Sequence, residues 1–493
     1  MRTSQTHPLL IAEVRPAPGF GRIGVTFCPG KVQSHAATGQ WARDLDVDLD
    51  AIAEWNAAAV VSLVEEHELH ALQVPELGAR TIIRNMAWYH LPIADQGVPD
   101  EDFEKAWATI GEGLRARLRE GFDIVVHCKG GLGRAGTIAA RLMVELGCEP
   151  DAAVAAIRKA RPGAIETSAQ LRHVMNAKPI AEPAPDTSLP AIHDRALGAM
   201  IGLAVGDAIG TTLEFKARDS YPLLTDMVGG GPFELDPGQW TDDTSMALAL
   251  MDSLIEKAEL DEVDLMQRFV RWHEQGEYSS TGRCFDIGIT TRQALVRWKQ
   301  TGNPIAGSTA PDTAGNGSLM RLAPVAIRWW RNREMLRDIA ARQSRTTHAA
   351  PEAVDACVTY AELLADAIEG RPRSDVLRDR RNAYAGKIAD IIAGSWRGKH
   401  RKAIKASGYV AHSFEAALWC VGRTGSFEEA VLLAANLGED ADTTAAITGQ
   451  LAGAIYGAEE IPIDWRTKLT RISQIIRMAE TLVDSYLTNQ NAR

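Results

Sequence analysis

Cysteine is scarce and unpaired in this chain: Cys28, Cys128, Cys148, Cys284, Cys357 and Cys420 are scattered over 493 residues. None stands at metal-knuckle spacing, and a chain of this length needs no covalent staples, so a disulfide scaffold is excluded and reduced thiols are expected. Aromatic residues make up only 6%. No apolar run reads as a signal segment or a membrane span, which predicts a cytoplasmic protein with no membrane partner. Positive charge is not in excess either. The formal charge of -11 excludes a surface built as a whole to bind nucleic acid or anionic lipid. Solenoid repeats and low-complexity tracts are absent as well.

What is present is globular: 45% hydrophobic and 24% charged residues, in a chain too long for one ordinary core. A Pro-rich stretch, NAKPIAEPAPDTSLPA (176–191), reads as a semi-stiff linker. It suggests domains at 1–178 and 191–493 joined by 179–190. Before the linker, the apolar runs RIGVTF, AAAVVSLV, MAWYHLPI and FDIVVHC alternate with helical segments such as EDFEKAWATIGEGLRARLREG. Continuous apolar runs between helices predict buried parallel strands in an α/β fold. After it, Ala-rich segments carry apolar residues four apart, as in Met246, Leu250, Leu254 and in Ile447, Leu451, Ile455, so this half is expected to be all-α. The basic run RGKHRKAIK (397–405) reads first as a solvated helix face and second as a contact for a nucleotide or acidic partner.

The first chemical constellation is HCKGGLGRAGT, His127 to Thr137. A strand ends at Cys128, and Ile138, Leu142 and Leu146 stand at helical spacing beyond Arg134, so a glycine loop joins a strand to a helix N-terminus. Gly130, Gly131 and Gly133 let backbone amides turn inward around an anion, and the helix end adds partial positive charge. Such a ring suits a phosphate and stabilises a nucleophilic thiolate at its centre. Arg134 offers a planar fork for two phosphate oxygens. Asp95, in the Gly/Pro-containing loop of LPIADQGVPD, can protonate a leaving oxygen, although aspartate is also an ordinary turn residue.

HCKGGLGRAGT resembles the signature of cysteine-dependent phosphatases, and the first domain resembles their dual-specificity branch. PIADQGVPD and RPGAIETSAQ (161–170) make it similar to the cyclin-dependent kinase inhibitor 3 type. The resemblance implies a central sheet flanked by helices, Cys128 as nucleophile, Arg134 as phosphate ligand and Asp95 as general acid. It further implies Thr137 as the hydroxyl that helps the thiolate leave and Gln170 as a residue that places water. Substrates in that family range from phosphotyrosine to lipids and RNA ends.

The second constellation is acidic. GQWTDDTSMALALMDSLIE places Thr241, Asp242 and Asp243 at a helix start, and NLGEDADTTAAITGQLAGAIYG places Asp440, Asp442 and Thr443 at another. Ala441, between the two aspartates, carries no reactive group. Helix capping explains either cluster alone. Two clusters of adjacent carboxylates repel unless cations sit between them, and the all-oxygen donor set points to Mg²⁺, Mn²⁺ or Ca²⁺ and away from zinc. ALGAMIGLAVGDAIGTTLEF, rich in Gly and Ala, allows close helix packing and carries Asp207 and Glu214. In GNGSLMRLAPVAI, a turn at Gly315, Asn316 and Gly317 can bring backbone amides to a ligand. For Asp207 and Asn316, plain helix and turn roles compete with this reading.

GLAVGDAIGTTLEF, WTDDTSMAL, STGRCFDIG, GNGSLMRLAPVA, FEAALWCV and GEDADTTAAITGQLAGAIYG, in this order, resemble the ADP-ribosylglycohydrolase family of the dinitrogenase-reductase-activating type. The resemblance implies an all-α domain holding two Mg²⁺ ions, with Mn²⁺ as substitute, through Thr241, Asp242, Asp243, Asp440, Asp442 and Thr443, with Glu214 at the rim. Glu439 departs from the glycine many members have there, and a longer acidic side chain can add a ligand or narrow the ribose entrance. Together the resemblances imply a bifunctional hydrolase that cleaves an ADP-ribosyl bond and a phosphomonoester. The ADP-ribose would be carried by a protein, a nucleic acid or a small molecule, and a phosphorylated ADP-ribose would present both handles. The alternatives are a glycohydrolase whose thiolate loop only docks phosphate, and a regulatory reader. Cys28 is expected to be an inert buried thiol or, under oxidation, a disulfide partner of Cys128.

Overall fold

The protein is described here by a computed structural model that covers residues 1–36, 39–257, 259–380, 384 and 386–490. The chain forms two compact units, the first made of Met1–Pro183 with Gly422–Gly425 and the second of Ala184–Val421 with Ser426–Arg493. The first holds strands β1 (Ala12–Val14), β2 (Ile23–Phe27), β3 (Val32–Gln33), β4 (Trp41–Ala42), β5 (Ala57–Ser62), β6 (Ala87–His90) and β7 (Asp123–Cys128). Five of them form one sheet in the order β1-β2-β7-β5-β6, and β3 pairs with β4 in a separate ribbon. β2, β7, β5 and β6 are mutually parallel, and β1 is an antiparallel edge.

The apolar runs read from the sequence became β2, β5, β6 and β7. β1 escaped because three residues beside a Pro-rich turn carry no periodic signal. The runs are continuous because both sheet faces are covered. Along β7, Ile124, Val126 and Cys128 enter one core with the helices Glu101–Arg119 and Gly133–Glu145, while Val125 enters another with Leu49 and Ile52 of the helix Leu45–Glu54. The parallel strands all point their C-terminal ends the same way, which places Cys128, the Asp95 loop and the helix Glu66–Ala71 along one edge of the sheet.

Among the described residues the second unit is built of helices and contains no strand. Its centre is an antiparallel pair, Leu189–Gly210 against Ala441–Tyr456. Gly198, Gly202, Gly206 and Gly210 stand four apart and face Gly453, Gly449, Ala445 and Ala441. A Cβ at Gly202 would lie 2.2 Å from the Gly449 carbonyl oxygen, so only glycine permits the spacing. This approach sets Asp207 and Glu214 beside the start of the second helix.

Two expectations are corrected. The segment Leu189–Leu213 is long and apolar enough to cross a membrane by length and composition, where the sequence reading found no such window. It is a core helix: 89% of that window is buried inside the unit, and the apolar residues answer to packing. The basic run is no helix face. It forms turns and a short 3-10 helix, Arg401–Ala403. Its charges are anchored, with Arg397 stacked on Trp396, Lys399 paired with Glu415 and Arg401 with Asp219. Gly398 at φ 62° breaks the period that the charges alone suggest.

Candidate active sites

In the first unit, β7 delivers Cys128 to a loop that turns into the helix Gly133–Glu145. The Gly131 amide donates to Cys128 Sγ at 3.3 Å. Gly131 has φ 68°, and a Cβ there would lie 2.4 Å from the Thr26 carbonyl carbon, so the loop requires glycine at this point. Gly133 is confined by Glu166 and Gln170, and Gly130 faces open space. Arg161 braces the loop from outside, donating to the carbonyls of Gly131 and Gly130 at 3.0 and 3.2 Å.

Arg134 is buried and forked onto Glu68, with Nη1 to Oε2 at 2.5 Å and Nη2 to Oε1 at 3.0 Å. It also donates to the Ile93 carbonyl at 2.9 Å and meets Asp95 Oδ1 at 3.1 Å. The Asp95 side chain is 59% exposed. Behind the loop His127 contacts the Ser62 hydroxyl at 2.6 Å, and burial drives its pKa down to about 3, so it is a neutral structural group.

Two placements differ from the roles the first resemblance implied. The Thr137 hydroxyl donates to the Gly133 carbonyl at 2.8 Å, not to the sulfur. Gln170 is the N3 residue of a capping box on the helix Ser168–Asn176, and its Nε2 donates to the Gly97 carbonyl at 3.1 Å, which fastens the Asp95 loop. Cys28 is a buried free thiol, its pKa raised by desolvation, as expected of an inert thiol.

In the second unit the two acidic clusters meet. Thr241 and Asp440 occupy N-cap positions, yet neither side chain makes a capping hydrogen bond. Capping comes from other segments: Asp207 accepts the amides and hydroxyls of Thr241 and Thr244 at 2.7–3.0 Å. Glu214 Oε2 accepts the amide of Ala441 at 2.8 Å. The aspartates are thus released from helix capping and gathered together. Oxygens of Asp207, Asp243 and Asp442 lie within 4.8 Å of one another, as do those of Glu214, Asp440 and Asp442. The Thr443 hydroxyl donates to Asp243 Oδ2 at 3.3 Å, and the Thr241 hydroxyl, whose proton goes to Asp207, lies 3.3 Å from the same oxygen, while the buried Asp243 Oδ1 has no hydrogen-bond partner.

Burial and mutual repulsion raise the pKa values of these groups: Asp242 and Asp243 well above the ordinary range, Asp440 and Asp207 to about 7. Glu214 is pushed up strongly by burial and by Asp442. Such a cluster is stable at neutral pH only with protons or cations among the oxygens. It is a donor set that can hold metal ions.

The turn at Gly315–Gly317 contributes differently from expectation. The Gly315 and Asn316 amides are committed to the carbonyls of Thr313 and Gly408, so they do not face a ligand. The Asn316 side chain enters the site instead, donating to Asp440 Oδ2 at 2.6 Å.

Both units match known family profiles. The ADP-ribosylglycohydrolase profile matches residues 188–492. The chain belongs to the ADP-ribosylglycohydrolase family. The profile of the Swiss Army Knife protein DSP-PTPase phosphatase domain matches residues 37–182. The chain is 47% identical to ADP-ribosylarginine hydrolase Tri1 of Serratia proteamaculans, over 59% of this chain and 79% of that protein. It is 36% identical to ADP-ribosyl-[dinitrogen reductase] glycohydrolase of Rhodospirillum rubrum, over 57% and 92%. A solved structure described as an ADP-ribosylglycohydrolase-related protein complex aligns with TM-score 0.55 and 39% identity, over 60% of this chain and all of that one. This ADP-ribosylglycohydrolase is therefore an enzyme carrying a second, phosphatase-family domain.

Sequence reasoning missed two residues of these sites. Glu68, the partner of Arg134, stands in the run EEHEL, where nothing distinguishes it from Glu65 and Glu66. Asp286 lies inside the quoted motif STGRCFDIG and had no role assigned. It faces Asp442 and, by burial and that carboxylate's charge, rises to about 11. Its φ of 57° marks a backbone held in an unfavourable conformation, as at many functional sites. Glu439 is exposed and lies outside both clusters of converging oxygens, which sets aside an added ligand.

Proposed function

We propose that the protein hydrolyses the bond between ADP-ribose and an arginine side chain in its second unit and phosphomonoesters in its first. The observation that carries the first activity is the convergence of Asp243, Asp442, Asp440 and Glu214, with Asp243 Oδ1 left without a partner. The arginine linkage is supported by the relatives named ADP-ribosylarginine hydrolase.

The all-oxygen donors suit Mg²⁺, with Mn²⁺ as substitute. Glu214, Thr241, Asp242, Asp243, Asp440, Asp442 and Thr443 would hold two ions, with Asp207 fixing Thr241 from behind. Bound Mg²⁺ supplies charge balance and Lewis-acid binding of vicinal ribose hydroxyls. The chain's own groups do the rest. Asn316 orients Asp440, and the ring of carboxylates stabilises positive charge that develops on the ribose as the glycosidic bond lengthens. Asp286 hydrogen-bonds a water and orients it toward the anomeric carbon, and the departing guanidine nitrogen takes up the proton that this water loses as it attacks.

In the first unit Cys128 attacks phosphorus, Arg134 follows the equatorial oxygens and Asp95 protonates the leaving oxygen. Water then releases phosphate from the cysteinyl phosphate. A phosphorylated ADP-ribose is the proposed shared substrate, and the free thiols suit a reducing cytoplasm.

The test is product analysis by mass spectrometry on arginine-, serine-, aspartate- and nucleic-acid-linked ADP-ribose and on ADP-ribose 1″-phosphate, using wild type, Asp242→Ala and Cys128→Ser. ADP-ribose release from the arginine linkage is expected with Mg²⁺, lost in Asp242→Ala and kept in Cys128→Ser. Phosphate release should show the converse. Absence of both products from wild type overturns the reading. Phosphate binding without turnover reduces the first unit to a docking module.

A further inference from the structure

Three phenylalanines in contact with one another, two of them next in the chain to Glu214 and Asp286, form an aromatic rim that the chemistry above does not use. Phe215 directly follows Glu214, is 67% exposed and has φ 60°. Phe285 directly precedes Asp286. Phe233 lies between them, its ring centroid 6.2 Å from Phe215 in an edge-to-face arrangement and 5.2 Å from Phe285. A large exposed ring on an unfavourable backbone has no stability rationale, since it neither fills the core nor relaxes the chain. Its backbone is held from across the site: the Phe215 amide donates to the Glu439 carbonyl at 2.8 Å. Glu439, itself at φ 62°, is exposed, and no hydrogen bond or ion pair of its carboxylate is found among the described residues. Arg218, whose charge Glu439 feels, donates instead to the carbonyls of Leu437 and Arg401.

Ring faces carry negative quadrupoles and attract planar cations, and a carboxylate beside them adds a full charge. The same carboxylate disfavours the diphosphate of ADP-ribose, so the rim suits the leaving group. We propose that Phe215, Phe233, Phe285 and the Glu439 carboxylate form a subsite that binds the guanidinium and alkyl stem of an arginine-linked substrate. The inference rests on the arginine reading above and goes beyond it by assigning the residues that select the leaving group.

Steady-state kinetics on an ADP-ribosylarginine peptide test it, with ADP-ribose affinity measured by calorimetry in the presence of Mg²⁺. In Phe215→Leu, which keeps apolar volume but loses the ring, and in Glu439→Gln, KM is expected to rise about tenfold. The ADP-ribose dissociation constant should change much less than KM, and Phe215→Trp, which keeps a ring face, should restore KM. If wild type releases no ADP-ribose from the peptide, the reading of the site fails and this inference with it. If wild type turns over but both variants keep KM within about twofold, the rim inference alone is overturned. It is equally overturned if ADP-ribose affinity falls as much as KM rises, which would make the rim a platform for adenine.

Discussion

Arg134 and Glu68 form a buried bidentate pair, joined at 2.5 and 3.0 Å, beside the Cys128 loop. The pair fixes the guanidinium beside Cys128, and it explains how a fully charged arginine tolerates 2% side-chain exposure. Removing one partner leaves an uncompensated buried charge. Glu68→Ala is expected to lower stability by about 3–5 kcal/mol. Glu68 also caps the helix Glu66–Ala71 by accepting the Glu65 amide at 3.0 Å, and because it holds Arg134 in place, kcat on an aryl phosphate should fall on the order of 10²-fold in Glu68→Gln. Calorimetric melting and steady-state kinetics check both.

Cys128→Ser should abolish aryl phosphate hydrolysis, because a hydroxyl is a far weaker nucleophile than a thiolate at neutral pH. The loop that cradles the anion survives the change, so vanadate should still bind the variant. Binding of vanadate by calorimetry alongside loss of phosphate release is the expected pair of results; retained turnover would place the nucleophile elsewhere.

The acidic cluster predicts a pH dependence whose sign follows from burial. Asp440 and Asp207 have pKa values raised to about 7 in the folded chain, against about 3.9 when unfolded. The folded state therefore binds protons more tightly. That contribution is complete below pH about 4 and is lost as pH rises through about 7. In chelator the melting temperature should fall between about pH 5 and about pH 8. Divalent cations should raise it most at the upper end, where the carboxylates are ionised. Scanning calorimetry with Mg²⁺ or chelator reads this directly.

Gly202→Val tests the helix pair that positions the cluster. The new side chain meets the Gly449 carbonyl oxygen at 2.2 Å from its Cβ, so the helices must separate. Overpacking of this kind costs about 1–3 kcal/mol or more. The second unit should melt lower, and ADP-ribose release should fall with it, since Asp207 and Glu214 ride on the displaced segment. An unchanged melting temperature would mean that the pair is looser than described.

Much of the fold was legible in the residues. Continuous apolar runs marked β2, β5, β6 and β7 because strands covered on both faces have no polar side to hide them. The Gly/Ala stripe announced close helix packing, and the order of strand, glycines and helix in HCKGGLGRAGT announced the turn that follows Cys128. The edge strand Ala12–Val14 was too short to leave a period. The roles expected for Thr137 and Gln170 did not match their placement, since both side chains are spent on nearby carbonyls and amides.

The amino-acid order alone determined which side chains the chain has for chemistry, the strand-loop-helix frame around Cys128, and the pairing of carboxylates at two helix starts, because these depend on neighbours within a few residues. Tertiary structure decided which acids meet. Asp207 and Glu214 took over the capping duties that would have occupied Thr241 and Asp440, Asp286 came in from a separate loop, and Glu68 was selected from equivalent glutamates. Those outcomes depend on which segments lie side by side across hundreds of residues, and local sequence spacing carries no record of that distance.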